Sequence, residues 1–280
     1  MNFVEIIHHI LDVADSEAIG LPAANEVAPH VRQIAMDVMT VTRSKIGPEA
    51  TESEYFKSCE ERFETLLTMA LQHLPEGGRV LDIGNAPGYL AIMLAQAGYL
   101  IDGVNLSDAW SSSYPHPSYV DQFRVKVADI EKEALPYSNG IFDCIVFTEV
   151  LEHIAVKHPR DFLPEFRRVL RKNGVVIFST PNVCNVSNIV SLLQGKNIFW
   201  DTEIFYGSTD RHNREFTPLE VRKLFEESGF ITREWFGMND HANWRSGSAR
   251  YIYDYQAKHG VPDHGLMRNT IIGVFGKTGD

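Results

Sequence analysis

The chain has 280 residues, 37 of them acidic and 26 basic, for a formal net charge of −11. A surface that grips a phosphate backbone carries a basic excess, so this balance disfavours long nucleic acid as a partner. Hydrophobic content of 44% and charged content of 22% are those of a globular protein. No run is long enough to cross a membrane, the N-terminus lacks a basic secretory start, and Cys59, Cys144 and Cys184 form neither a metal nor a disulfide pattern, which together predict a cytoplasmic location.

Residues 1–46 read as two helices. Phe3, Ile6, Ile7, Ile10 and Leu11 recur at helical spacing, a Gly20-Leu21-Pro22 break follows, and Val31, Ile34, Ala35, Val38 and Met39 form a second stripe. Two roles stand open for this segment: packing on the core or on a second copy in a homodimer, or capping a pocket. Gly47-Pro48 reads as a hinge between an N-terminal helical segment, 1–47, and a main domain, 48–280. Residues 53–74 predict a helix with Phe56, Phe63, Leu66, Leu67, Ala70 and Leu71 on its apolar face, ended by Pro75-Glu76-Gly77-Gly78.

Strands and helices then alternate. An apolar strand, 80–83, runs into the turn Gly84-Asn85-Ala86-Pro87-Gly88; a helix over 89–97, closed by Gly98, leads to a strand over 99–106. Such a turn delivers backbone N–H groups and a helix N-terminus to whatever sits above the strand end. The dinucleotide spacing Gly-x-Gly-x-x-Gly would need a glycine where Tyr89 stands, whereas Asp-x-Gly-x-Gly-x-Gly is filled by Asp82, Gly84, Ala86 and Gly88. Residues 109–120 read as a loop, 123–128 as a strand ending at Asp129-Ile130, 138–140 as a turn and 142–147 as a strand. After Thr148-Glu149-Val150-Leu151-Glu152-His153-Ile154, a helix over 161–170 ends in the basic turn Arg171-Lys172-Asn173-Gly174, and a strand follows over 175–180. This order argues a parallel sheet covered by helices on both faces. Residues 183–210 break the alternation, with a short helix at 188–193 and an apolar patch at 198–200, and are placed to build an acceptor site. Thr217 as N-cap and Pro218 at the first helical position open a helix that stops at Gly229, and strands follow over 230–236 and 270–276.

Five motifs in this order and spacing resemble the class I S-adenosylmethionine (SAM) methyltransferases: 80–88, Asp129-Ile130, 142–154, Arg168-Val169-Leu170-Arg171-Lys172-Asn173-Gly174, and Glu215-Phe216-Thr217 before a helix that ends in Gly229-Phe230. The resemblance covers 53–277 and implies a Rossmann-like, seven-stranded, mostly parallel sheet, with a last antiparallel hairpin that inserts strand seven between five and six. It implies SAM as cofactor, held by Asp82, Gly84, Ala86, Gly88, Asn105, Asp129, Ile130 and Thr148. Asp129 and the following N–H are expected to read the adenine. Asn105 stands where the family has an acid for the ribose hydroxyls; it keeps an acceptor oxygen without the charge, with Asp108 nearby to assist. Tyr55 or Arg62 is the expected contact of the cofactor carboxylate.

Methyl transfer to a hydroxyl requires that the acceptor be aligned and its proton removed. If 148–154 is helical, offsets of three and four put Glu149, Glu152 and His153 on one face. Glu-x-x-Glu-His resembles the metal-binding run of the small-RNA 3′-terminal 2′-O-methyltransferases and of the ubiquinone-pathway O-methyltransferases. In the RNA enzymes the fourth ligand is a downstream histidine, matched here in His212-Asn213-Arg214-Glu215-Phe216-Thr217, and Ser179-Thr180-Pro181-Asn182 is also shared. The resemblance thus implies Mg²⁺ or Mn²⁺ on Glu149, Glu152, His153 and His212. A metal-free base, His153 or His212, stands as the alternative. Either way these four residues activate or orient the acceptor, expected to be a small-molecule hydroxyl such as a sugar or a natural-product intermediate, against which Trp200, Phe205, Tyr206, Trp235 and Trp244 can stack. N-methylation, methylation of an RNA terminus and a non-catalytic SAM-fold binding protein remain as alternatives.

Overall fold

The computed structural model describes residues 2, 5, 27–107, 123–199, 201–207, 211–239 and 267–278. All but Glu5 of the helix expected over 3–11 and the whole loop expected over 109–120 fall outside these residues, as do Asp108, Trp200 and Trp244. The first described helix, α1 (Pro29–Thr51), breaks at Gly47, whose φ of 81° and ψ of 169° are not helical, at the position expected to be a hinge. Its buried face is Ala35, Val38, Met39, Thr42 and Ile46; Ile34 of the expected stripe points outward. Helix α2 (Glu54–His73) is capped by Ser53, which accepts from the Phe56 N–H, and buries Phe56, Phe63, Leu66, Leu67 and Ala70 as its periodicity requires. It also buries Arg62.

Strand β1 (Arg79–Ile83) leads through the glycine turn to α3 (Tyr89–Gln96) and β2 (Leu100–Asn105). Then come β3 (Arg124–Val127), β4 (Phe142–Thr148), single 3-10 turns at Leu151–His153 and Pro159–Asp161, α4 (Leu163–Val169) and β5 (Leu170–Pro181). After β5 come α5 (Val186–Leu193), α6 (Thr202–Gly207), α7 (Pro218–Glu227), β6 (Phe230–Met238) and β7 (Thr270–Lys277). Thr217 and Glu220 close a capping box on α7. The seven strands run β3-β2-β1-β4-β5-β7-β6. The pairs from β3 to β5 are parallel, while β7 is antiparallel to both β5 and β6. The inserted seventh strand is as the resemblance implied.

Two sequence expectations change. The basic turn 171–174 belongs to β5: Leu170 pairs with Phe142 and Val175 with Cys144, so the intervening residues bulge from the ladder, with Asn173 at φ 68°. The run 148–154 is not an α-helix. Glu149 takes φ 54°, which takes it out of any helical register, and only Leu151–His153 forms a turn. Its N–H bonds the Ser179 carbonyl on the neighbouring strand instead.

Side chains alternate across the sheet and build two cores. Val80, Val146, Ile177 and Val274 face α1, α2 and α3. Leu81, Phe147, Phe178 and Phe275 face α4 and α7. Both faces of β1, β2 and β4 are filled, the edge strand β3 is largely exposed, and the ends carrying Ile83, Asn105, Val127 and Thr148 gather on one rim.

Candidate active site

That rim sits where open parallel sheets bind ligands, outside the carboxyl ends of the strands. Its first wall is the turn after β1. Gly84 has φ 72° and Gly88 φ 85°, conformations that disfavour a side chain, and Gly88 is the N-cap of α3. A Cβ on Gly84 would come within 2.5 Å of Val150 Cγ2, so this glycine also seats the turn that follows β4. Below the turn, Asp82 is buried on β1, and burial pushes its carboxyl up to about 8. Ala86 is half-buried and packs on the first core.

Asn105 ends β2 and is buried. Asp129 lies just beyond β3; its Oδ1 accepts the Glu131 N–H at 2.9 Å, and its Oδ2 lies 2.6 Å from Lys132 Nζ. Ile130 is half-buried against the second core, and Thr148 is half-buried at the end of β4. Every residue expected to hold the cofactor thus lies on one rim. Arg62 reaches the same rim from α2, where its Nη1 lies 3.2 Å from Glu149 Oε2. Tyr55 is half-exposed beside Tyr89, with ring centroids 6.1 Å apart.

The second wall is the acid and imidazole cluster. One oxygen of Glu152 and one ring nitrogen each of His153 and His212 lie within 4.8 Å of one another. Glu152 is buried, and its Oε2 accepts from Thr180 Oγ1 at 2.9 Å. Desolvation, with the nearby Glu149 carboxylate, holds the Glu152 carboxyl well above the usual range. His212 is brought in by the segment ahead of α7: the Asn213 and Arg214 N–H groups both donate to the Glu152 carbonyl, and Asn213 Nδ2 donates to the His153 carbonyl at 2.8 Å. His153 Nδ1 is 3.0 Å from the Arg211 carbonyl, and His212 Nδ1 is 2.8 Å from Glu215 Oε1. Both partners are acceptors, which assigns the proton to Nδ1 and makes Nε2 the lone-pair atom of each ring. One carboxylate and two such imidazoles suit a divalent cation.

Glu149 is not in this group. Its Oε1 accepts from Ser179 Oγ at 2.7 Å and its Oε2 faces Arg62. Of the expected acceptor-stacking aromatics, Trp235 is buried in the second core and cannot line a pocket. Phe205 lies under Arg211, whose guanidinium carbon is 5.0 Å from the ring centroid, and Tyr206 is exposed. Arg211 was not anticipated, because nothing in its local sequence marks a carbonyl that orients a histidine.

A seven-stranded sheet of this order, with a glycine turn on β1 and polar residues gathered at the strand ends, is the fold of the class I SAM-dependent methyltransferases. A methyltransferase-domain family model matches residues 53–234, and the chain belongs to that family. The ubiquinone biosynthesis O-methyltransferase of Thiobacillus denitrificans is 29% identical over 167 residues, 58% of this chain and 68% of that one. A probable S-adenosylmethionine-dependent methyltransferase of Mycolicibacterium smegmatis is 27% identical over 228 residues, 80% and 79% of the two chains. Among solved structures, a SAM-dependent methyltransferase from Archaeoglobus fulgidus matches with TM-score 0.56 at 14% identity, over 80% of this chain and 95% of that one. The [4+2]-cyclase SpnF matches with TM-score 0.55 at 14% identity, over 94% and 100%. At such identities the likeness is one of fold, and the activity rests on the family. No helix among the described residues is long and apolar enough to cross a membrane.

Proposed function

We propose that this methyltransferase acts on a hydroxyl of a small molecule, with a divalent ion, Mg²⁺ or Mn²⁺, held by Glu152, His153 and His212. The observation that carries this reading is the convergence of these three donors within 4.8 Å, on a turn whose Val150 packs over Gly84. The O-methyltransferases among the relatives agree with a hydroxyl acceptor. When bound, SAM supplies the electrophilic methyl group and its leaving group. When bound, the ion lowers the pKa of an acceptor hydroxyl beside it.

The chain's own residues do the rest. Backbone N–H groups of the 84–88 turn and the side chains of Asn105 and Asp129 orient the cofactor. Thr180 holds the Glu152 carboxylate, while Arg211 and Glu215 hold the two imidazoles with Nε2 as their lone-pair atom. A second reading has support in the His212–Glu215 pair, which is built like a base and its orienting acid and would take the acceptor proton with no ion.

Mn²⁺ titration followed by electron paramagnetic resonance separates the two. One bound ion per chain is expected in the wild type, with affinity reduced at least about tenfold in His153→Ala and His212→Ala. Methyl transfer from labelled SAM to a panel of catechols, sugars and primary amines is expected to favour hydroxyls and to stop on EDTA treatment. Transfer that survives EDTA but is lost in His212→Ala selects the base; transfer only to amines overturns the hydroxyl assignment.

A further inference from the structure

Glu149 occupies a backbone conformation that side-chain-bearing residues rarely adopt, at the point where β4 turns toward the cluster. Such a conformation persists only where its surroundings over-determine it. Here three contacts do so. The Glu149 N–H donates to the Ser179 carbonyl at 3.0 Å, Ser179 Oγ donates to Oε1 at 2.7 Å, and Arg62 Nη1 lies 3.2 Å from Oε2. Arg62 is only 4% exposed, and its Nη2 donates to Cys59 Sγ at 3.1 Å, so α2 delivers a buried cation to this one turn. A buried guanidinium is costly without an anion beside it, and Glu149 supplies one.

The next residue carries the consequence to both halves of the site. Val150 Cγ2 occupies the space a side chain on Gly84 would need, and the Val150 carbonyl accepts the His153 N–H at 3.0 Å, closing the turn that carries Glu152. A shift of Glu149 therefore displaces the cofactor turn and the imidazole cluster together. We propose that Arg62 and Glu149 are a positioning pair: their ion pair, buried on the arginine side, fixes the turn between β4 and His153 and so couples the cofactor loop to the acceptor side, with Glu149 acting through Arg62 and Ser179 rather than as a metal ligand or a base. The cofactor half of this proposal rests on the family, and the acceptor half rests on the proposed function.

A double-mutant cycle tests it with two probes, S-adenosylhomocysteine by titration calorimetry and Mn²⁺ by electron paramagnetic resonance. Arg62→Gln and Glu149→Gln each break the ion pair from one side and are expected to weaken S-adenosylhomocysteine by about tenfold or more. The double variant removes both charges and is expected to return to within about threefold of the wild type. Losses that simply multiply in the double variant would overturn the pairing. Arg62→Lys retains a cation opposite Glu149 and is expected to stay within about fivefold of the wild type; a loss equal to that of Glu149→Gln overturns the ion pair even where Arg62→Gln does not fold. Mn²⁺ affinity is expected to recover in the double variant as well. If it remains about tenfold or more below the wild type in both Glu149→Gln and the double, Glu149 is a ligand and the positioning role is wrong. A wild type that binds no Mn²⁺ sinks the metal reading alone, and the S-adenosylhomocysteine cycle still decides the pair.

Discussion

Asp82 is a carboxyl buried beneath the glycine turn, and desolvation alone pushes it up to about 8. The folded chain therefore keeps this proton over a range in which the unfolded chain has lost it. Its contribution to stability is fully present below about pH 4, declines as pH rises toward 8, and levels off above that value. Denaturant melts of the wild type and Asp82→Asn across pH 4–9 are expected to diverge in this sense, with a limiting slope of about 1.4 kcal/mol per pH unit. A pH-independent difference would refute the burial argument. Gly84 makes a steric prediction at the same turn. Alanine there meets Val150 Cγ2 at 2.5 Å and also sits at φ 72°, so Gly84→Ala should lose about 1–3 kcal/mol of stability and most of the S-adenosylhomocysteine affinity. Adding Val150→Ala should return only part of both, because it removes the contact and leaves the backbone strain.

Loops carry the site, and one carboxylate ties two of them together. Glu131 accepts from the N–H groups of Val156 and Lys157 at 2.6 Å and of Ala155 at 3.3 Å, while its own N–H is bonded to Asp129. The loop after β3 is thereby fastened to the segment after His153. Glu131→Ala should cost about 1–3 kcal/mol of local stability, seen as faster hydrogen exchange at 155–157 with little change in the exchange of β4 and β5. Uniform acceleration across the sheet would show instead that the residue supports the whole fold. The alternation of strands and helices from Arg79 onward was legible because apolar runs, glycine turns and caps such as Thr217-Pro218 act locally. The turn at Glu149 was not, since Glu-Val-Leu-Glu-His has good helix formers and its left-handed residue is fixed by partners from α2 and β5. His212 was found through a motif resemblance alone; its approach to His153 depends on N–H groups of Asn213 and Arg214 reaching the Glu152 carbonyl, which no local pattern encodes. Helix α6, six residues long, was likewise invisible to periodicity. Arg62 did leave a trace: it breaks an otherwise apolar face between Cys59 and Phe63.

At the scale of the molecule, the last strand decides whether these pieces cohere. Strand β7 enters between β5 and β6, so the sheet is complete only when the end of the chain joins strands made far earlier. Phe275 anchors that junction. Its ring lies flat on Phe225 of α7 at 3.9 Å between centroids and 2° between planes, with Phe178 of β5 at 6.1 Å and Trp235 of β6 at 5.8 Å. Because it is fully buried against three other elements, truncation leaves a cavity that none of them can close alone. Phe275→Ala should lower the unfolding free energy by about 3–5 kcal/mol. The same strand borders β5, whose Ser179 and Thr180 hold Glu149 and Glu152, so the loss cannot stay in the second core. Urea unfolding followed by far-ultraviolet circular dichroism and by S-adenosylhomocysteine binding should shift together, with coincident midpoints. A binding transition that keeps its wild-type midpoint while the sheet signal moves would mean that the cofactor rim and the hairpin unfold as separate units, and that β7 does not support the site.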